Sequence, residues 1–129
     1  MDAIDSTASR LELFVNEDRS GSPVVAAVGD IDINTVHQLH ASLLGQAEAT
    51  RARSGAATDI VLDLSRVEFF GSVALDPMLR TRDVLSADRA RLHVVVTDHI
   101  RRSLNVLGLT ALFVLHDELR DALDALRAA

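Results

Sequence analysis

Between Ile60 and Leu79 the chain reads IVLDLSRVEFFGSVALDPML, and this stretch leaves little choice of fold. Ile60, Val61, Leu62 and Leu64 form an apolar run too short for a helix and rich in strand-favouring types. A run rather than an alternation marks a strand covered on both faces, as in a parallel sheet between helices. The chain then crosses a short loop, Ser65 to Phe70, and reaches Gly71-Ser72-Val73-Ala74. Beyond it Leu75, Met78, Leu79 and Leu85 recur near helical spacing. Gly71 and Ser72 therefore stand where the far end of a strand passes to a helix N-terminus, the place where open α/β sheets bind what they bind. Pro77 refines the boundary. In a helix starting at Ser72 it would remove an interior hydrogen bond, whereas a start near Ala74 makes it N3, which is tolerated. The expectation is a late or distorted first turn, with Ser72 on the preceding loop.

The remaining chain alternates in the same way. Leu11 to Asn16 reads as a strand, Asp18 to Pro23 as a hairpin connection, and Val24 to Val28 as a buried strand. Asn34 or Thr35 is the expected cap of a helix with Val36, Leu39 and Leu43 inward. Arg91 to Thr97 gives another strand, and Asp98 the expected cap of a helix facing inward through Ile100, Leu104 and Leu107, closed by Gly108 at C′. Ala111 to Leu115 reads as a last strand, followed by a helix capped by Asp117 with Leu119, Leu123 and Leu126 inward. One hairpin followed by strand–helix alternation predicts an α/β fold: a mostly parallel sheet with an initial antiparallel pair and about four helices. Residues 1–10 read as a flexible tail and 11–129 as one domain.

Composition narrows the chemistry. The net charge is −6 and Trp and Tyr are absent, so neither phosphate neutralisation nor base stacking suits a nucleic-acid surface. All 13 basic residues are Arg, which excludes lysine Schiff-base and P-loop chemistry. With no Cys there is no disulfide, thiolate nucleophile or cysteine metal site. No apolar segment approaches a membrane span, and the first residues have no signal-peptide pattern.

Few residues carry candidate chemistry. Asp30, Asp32 and Asn34 imitate the start of an EF-hand loop, but Thr35 stands where its Gly must be and Ala41 where its closing Glu must be, so no calcium is expected. His37 and His40 are three apart on one helix with no third ligand at matched spacing, and no metal or other cofactor is expected. His93, His99 and His116 read as structural. Around Ser72 the G-x-S-x-G frame of a hydrolase is missing, since Phe70 lies two residues before it. From its own surroundings Ser72 reads as a helix cap, its hydroxyl able to satisfy a free backbone N–H at the helix start.

The run LDLSRVEFFGSVAL resembles the signature of STAS domains, the fold of anti-sigma factor antagonists. Gly71 falls on the motif's Asp, Ser72 on its first Ser, Val73 on its second Ser, Ala74 on its Gly and Leu75 on its Leu, so three of the five positions differ from the pattern. Gly29-Asp30-Ile31-Asp32 is similar to the family's Gly-Glu-Leu-Asp, and Arg102 to Leu109 to its late Arg…Gly-Leu segment, so the likeness spans about Leu11 to Leu126. The resemblance implies a cytoplasmic binding module rather than an enzyme. It implies docking on an anti-sigma factor with a kinase-like ATP-binding domain, with Ser72 as phosphoacceptor. The docking surface would comprise Asp30, Asp32, Asn34, Gly71, Val73 and Ala74. A STAS scaffold that is never phosphorylated, serving another signalling or transport complex, is the alternative; a small serine hydrolase is a more distant one.

Overall fold

The computed structural model describes residues 9–128. The expected tail therefore lies, up to residue 8, outside the described residues. Five strands form one sheet in the order β1-β2-β3-β4-β5: β1 (Leu11–Glu17), β2 (Pro23–Ile31), β3 (Ile60–Phe70), β4 (Leu92–Val95) and β5 (Val114–His116). The first pair is antiparallel and the others parallel. The helices are α1 (Val36–Ser54), α2 (Leu75–Ala87), α3 (Asp98–Val106) and α4 (Leu119–Ala128).

This topology decides where the helices lie. Helices α1, α2 and α3 each connect one parallel strand to the next, always stepping the same way across the sheet. Right-handed crossovers then put all three on one face. Helix α4 follows the last strand, makes no crossover, and is free to cover the opposite face. The core divides accordingly. Val25, Leu62 and Val94, neighbours in register, join Leu39 and Leu43 of α1, Met78 and Leu85 of α2 and Ile100 and Leu104 of α3. On the other face Val24, Val61 and Val95 pack against Ala122 and Leu126 of α4, with Leu119 and Leu123 partly buried beside them. Leu62 is fully buried at the centre. Leu62→Ala is expected to cost about 2–5 kcal/mol, the usual range for a buried Leu that loses its side chain and leaves a cavity. Equilibrium urea denaturation reads this directly, and a loss below about 1 kcal/mol is incompatible with this register.

Several expectations are corrected by the structure. Ser65–Phe70 is not a loop but the second half of β3, held by β2 through Val28↔Arg66, Gly29↔Val67, Asp30↔Phe69 and Ile31↔Phe70. Strand β4 stops at Val95, and the Val96 N–H turns to the His116 carbonyl at 2.9 Å. Thr97, not Asp98, caps α3, its Oγ1 accepting from Ile100 N–H at 3.2 Å. Asp98 is the first helical residue, where its charge still favours the N-terminus. Gly108 is at C′ as expected, in a Schellman arrangement: its N–H reaches the Asn105 carbonyl and that of Leu109 the Leu104 carbonyl. Leu107, expected inward, follows the helix end and is exposed. Thr110–Leu112 is a 3₁₀ turn, so the last strand is only Val114–His116. The carboxylate of Asp117 accepts from Arg101 at 2.7 Å, an ion pair to α3.

Candidate functional site: the strand-to-helix crossing at Ser72

Two connections meet at the C-terminal ends of β2 and β3. Strand β3 ends at Phe70; Gly71 continues extended, Ser72–Ala74 makes one 3₁₀ turn, and α2 begins at Leu75 with Pro77 at N3. The late, tightened first turn is the one Pro77 demands. Ser72 is exposed, and its hydroxyl makes no hydrogen bond to any described residue. It does not cap the helix, so the cap reading of this residue is set aside. No histidine is bonded to it either, as a serine hydrolase would need.

The neighbouring connection is fixed from within. Thr35 stands at the N-cap position of α1, as expected, but its side chain makes no capping bond to the helix, and Asp32 organises the turn before it. Its Oδ1 accepts from Asn34 N–H at 2.9 Å, and its carbonyl accepts from Thr35 and Val36 N–H at 3.1 and 2.9 Å. Thr35 Oγ1 accepts the Asp32 N–H at 3.0 Å and donates to the Asp30 carbonyl at 2.8 Å, so Thr35 locks the turn that Asp32 begins, much as in a capping box. The Ser9 hydroxyl, followed by the N–H groups of Asn34 and Thr35, holds the Asp32 carboxyl below its ordinary range against the opposing effect of burial. Asp32 is thus anionic wherever the protein is folded at ordinary pH.

Gly71 joins the two connections. Its N–H donates to the Ile31 carbonyl at 2.8 Å. A Cβ at this position would stand 2.9 Å from Ile31 O, 3.1 Å from the Phe69 ring and 3.7 Å from Asp32 Cα. The position that carries Asp in the motif is therefore shaped here for a residue without a side chain.

The predicted site residues are not all equivalent. Gly71, Ser72, Val73 and Asp32 come together at the surface. Asp30 is half-buried, with its N–H bonded to the Arg10 carbonyl at 2.8 Å, and Asn34 is exposed. Ala74 is fully buried in the larger core, so it supports the loop from beneath and is not contact surface. What the sequence reading passed over is an apolar surround. Ile33 and Phe69 are 74% and 55% exposed, a large cost for such side chains in water. Val36, His37, His40, Val73, Asp76 and Pro77 line a groove of ≈ 400 Å³ between α1 and α2. Two signals for this surround existed: an isoleucine between polar residues in Asp32-Ile33-Asn34, and adjacent phenylalanines at a strand end, of which only one can face the core. His37 and His40 find no third ligand, since no group of three metal-binding side chains occurs among the described residues. None of the described helices is long and apolar enough to cross a membrane.

Comparison with known proteins agrees with this geometry. The family described as "Mlab, STAS domain" matches residues 15–119. The anti-sigma-F factor antagonist RsfB of Mycobacterium tuberculosis is 32% identical over 111 residues, 85% of each chain. An anti-sigma factor antagonist from Mycobacterium paratuberculosis superposes with a TM-score of 0.78 at 32% identity, covering 92% of this chain and 95% of that one. The Bacillus cell fate determinant SpoIIAA in its phosphorylated form shares the fold, with a TM-score of 0.66 at 20% identity over 90% of this chain and all of that one. A sheet of this strand order, antiparallel in its first pair and parallel in the rest, is that of a STAS domain. The chain belongs to the STAS family, and these mycobacterial relatives are anti-sigma factor antagonists.

Proposed function

We propose that this chain is an anti-sigma factor antagonist that docks on a kinase-type anti-sigma factor through the Gly29–Thr35 connection, the Gly71–Leu75 crossing and the start of α2. Ser72 is the phosphoacceptor in this reading. The observation that carries it is the exposed, unbonded Ser72 hydroxyl, flanked by exposed Ile33 and Phe69 and by the apolar groove beside Val73, in a chain 32% identical to RsfB. A hydroxyl with no internal partner is available to another protein. Apolar side chains left in water around it are what a partner would cover. Phosphorylation would place about −1.5 to −2 charges beside anionic Asp32 and Asp76, opposing an interface shaped for a neutral hydroxyl. The helix N-terminus next to it tolerates the anion, so the fold would persist while the surface changes.

Gly71 supports a second reading, a scaffold that binds but is never phosphorylated, because the motif's acidic side chain has no room here. One experiment separates the two. The protein is incubated with its candidate kinase-type anti-sigma factor and ATP, and phosphopeptides are mapped. Phosphate on Ser72 alone is the expected result. Stable complex formation with no phosphate incorporated supports the scaffold, and phosphate elsewhere removes Ser72 from its role.

A further inference from the structure

Far from Ser72 in the sheet, three titratable side chains form a line that the proposed function does not use. His93 of β4 is fully buried and faces the α4 side of the sheet. Its Nε2 lies 2.9 Å from Asp59 Oδ2 and its Nδ1 lies 3.0 Å from His116 Nε2 of β5. The two rings are 18° from parallel with centroids 5.3 Å apart. With nitrogens at 3.0 Å, that separation sets the rings edge to edge, so one N–H points at the other's lone pair. The carboxylate of Asp59 accepts hydrogen bonds only, so His93 carries its proton on Nε2. The Nδ1 of His93 is then an acceptor, and His116 must donate from Nε2.

We propose that Asp59–His93–His116 is a proton-counting latch that fastens β5 and α4 to the sheet and lets them go in mildly acidic solution. The counting follows from the hydrogens. The neutral line has both bonds made. One added proton leaves them made, since one cationic and one neutral ring still set a single donor against a single acceptor between His93 Nδ1 and His116 Nε2. A second proton makes both rings cationic, with two N–H groups face to face at 3.0 Å; that bond is lost and two positive charges repel in a site His93 cannot leave.

Besides the line, the released segment is held by a short strand pairing and by the small apolar cluster of Ala122 and Leu126 on Val24, Val61 and Val95. Strand β5 meets β4 through His93↔Val114, Val94↔Leu115 and Val95↔His116, with the Val96 N–H on the His116 carbonyl beyond them. The Arg101–Asp117 pair is largely in solvent and contributes little. The other charges facing the line are Arg91, whose N–H donates to Asp59 Oδ1 at 2.8 Å, Asp121 of α4 and Arg101 of α3. Burial raises Asp59, but the His93 hydrogen bond, the Arg91 N–H and the charges of both residues outweigh it and hold the carboxyl below its ordinary range. His116 is lowered by burial first and then by His93, with Arg101 and Arg91 adding and Asp121 opposing. A histidine lowered in the folded state leaves stability intact above its unfolded value, near 6.5, and removes it as pH falls below that value toward the folded one. The Asp59 contribution persists until pH falls below about 4.

Amide hydrogen exchange read by mass spectrometry tests this, comparing peptides over residues 114–126 with reference peptides over 24–31 and 60–64. After correction for the chemical exchange rate, protection over 114–126 is expected to fall about tenfold more than in the references between about pH 7.5 and about pH 5. His116→Gln keeps an amide donor toward His93 but cannot titrate, and should abolish the difference. An equal response in all peptides, or a difference that survives in His116→Gln, overturns the latch. Imidazole nitrogen spectra of the unaltered protein give an independent check. With both rings neutral each should be an Nε2–H tautomer, and a neutral His93 that carries its proton on Nδ1 instead would refute the counting.

Discussion

Gly29→Ala should destabilise the protein by about 3 kcal/mol or more, a larger effect than any surface substitution has. Two independent causes act at this residue. Its φ is +113°, a conformation that an L side chain rarely adopts. A Cβ would also stand 2.3 Å from the Arg10 carbonyl oxygen, a backbone atom of the chain entering β1, which cannot step aside without parting the strands. That carbonyl accepts the Asp30 N–H at 2.8 Å, and Leu11 pairs with Gly29 itself, so relief of the clash breaks the antiparallel pair where the register of β2 against β3 also shifts. The damage reaches the site, because Asp30, Ile31 and Asp32 follow immediately. A control isolates the cause. Gly45 lies within α1 with nothing within 4 Å of an added Cβ, so Gly45→Ala should gain about 1 kcal/mol from helix propensity alone. Urea denaturation of both variants is the measurement. A loss below about 1 kcal/mol in Gly29→Ala would mean that β1 does not approach β2 as closely as it does here.

These glycines also show what a sequence discloses. Strands buried on both faces write themselves as apolar runs, and Val24–Val28 and Ile60–Leu64 are legible for that reason, with Val94 and Val95 in the third such run. The second half of β3 is not legible: Ser65, Arg66 and Glu68 are exposed, β4 has already ended, and only pairing with β2 keeps the segment extended. Strand β5 is too short to show a period. Thr97 and Asp98 are both good capping residues, and only backbone geometry chooses between them. At the site, Pro77 fixed the late helix start and small residues marked the crossing, so Ser72 was legible. Ile33 and Phe69 are only hinted at by their sequence neighbours and the α1–α2 groove not at all, because exposure there depends on how two connections distant in sequence pack together. The histidine line was invisible for the same reason: its contacts join residues 34 and 23 positions apart.

The second large effect concerns binding rather than folding. If Ser72 lies at the centre of the partner interface, Ser72→Ala should retain affinity, since it removes one hydroxyl with no internal partner among the described residues. Ser72→Asp should weaken binding by about 2–5 kcal/mol, because it sets an unanswered charge against a desolvating surface. That corresponds to more than about thirtyfold in Kd. The acidic surroundings deepen the effect: Asp32 is held anionic by its hydrogen bonds, and Asp76 lies on the first turn of α2, with its own cation, Arg80, already engaged at 2.9 Å. Folding should be nearly unchanged in both variants, because position 72 is exposed and an acid before a helix N-terminus is electrostatically favoured. Calorimetric titration against the cognate anti-sigma factor, with thermal melts of each variant, tests both halves of the argument. Equal affinities for the Ala and Asp variants would place Ser72 outside the interface. A low melting temperature in the Asp variant alone would mean instead that position 72 is less open in solution than its exposure here. Loss of affinity with the melt preserved is the outcome expected of a residue whose charge, and not whose packing, decides whether the partner is held.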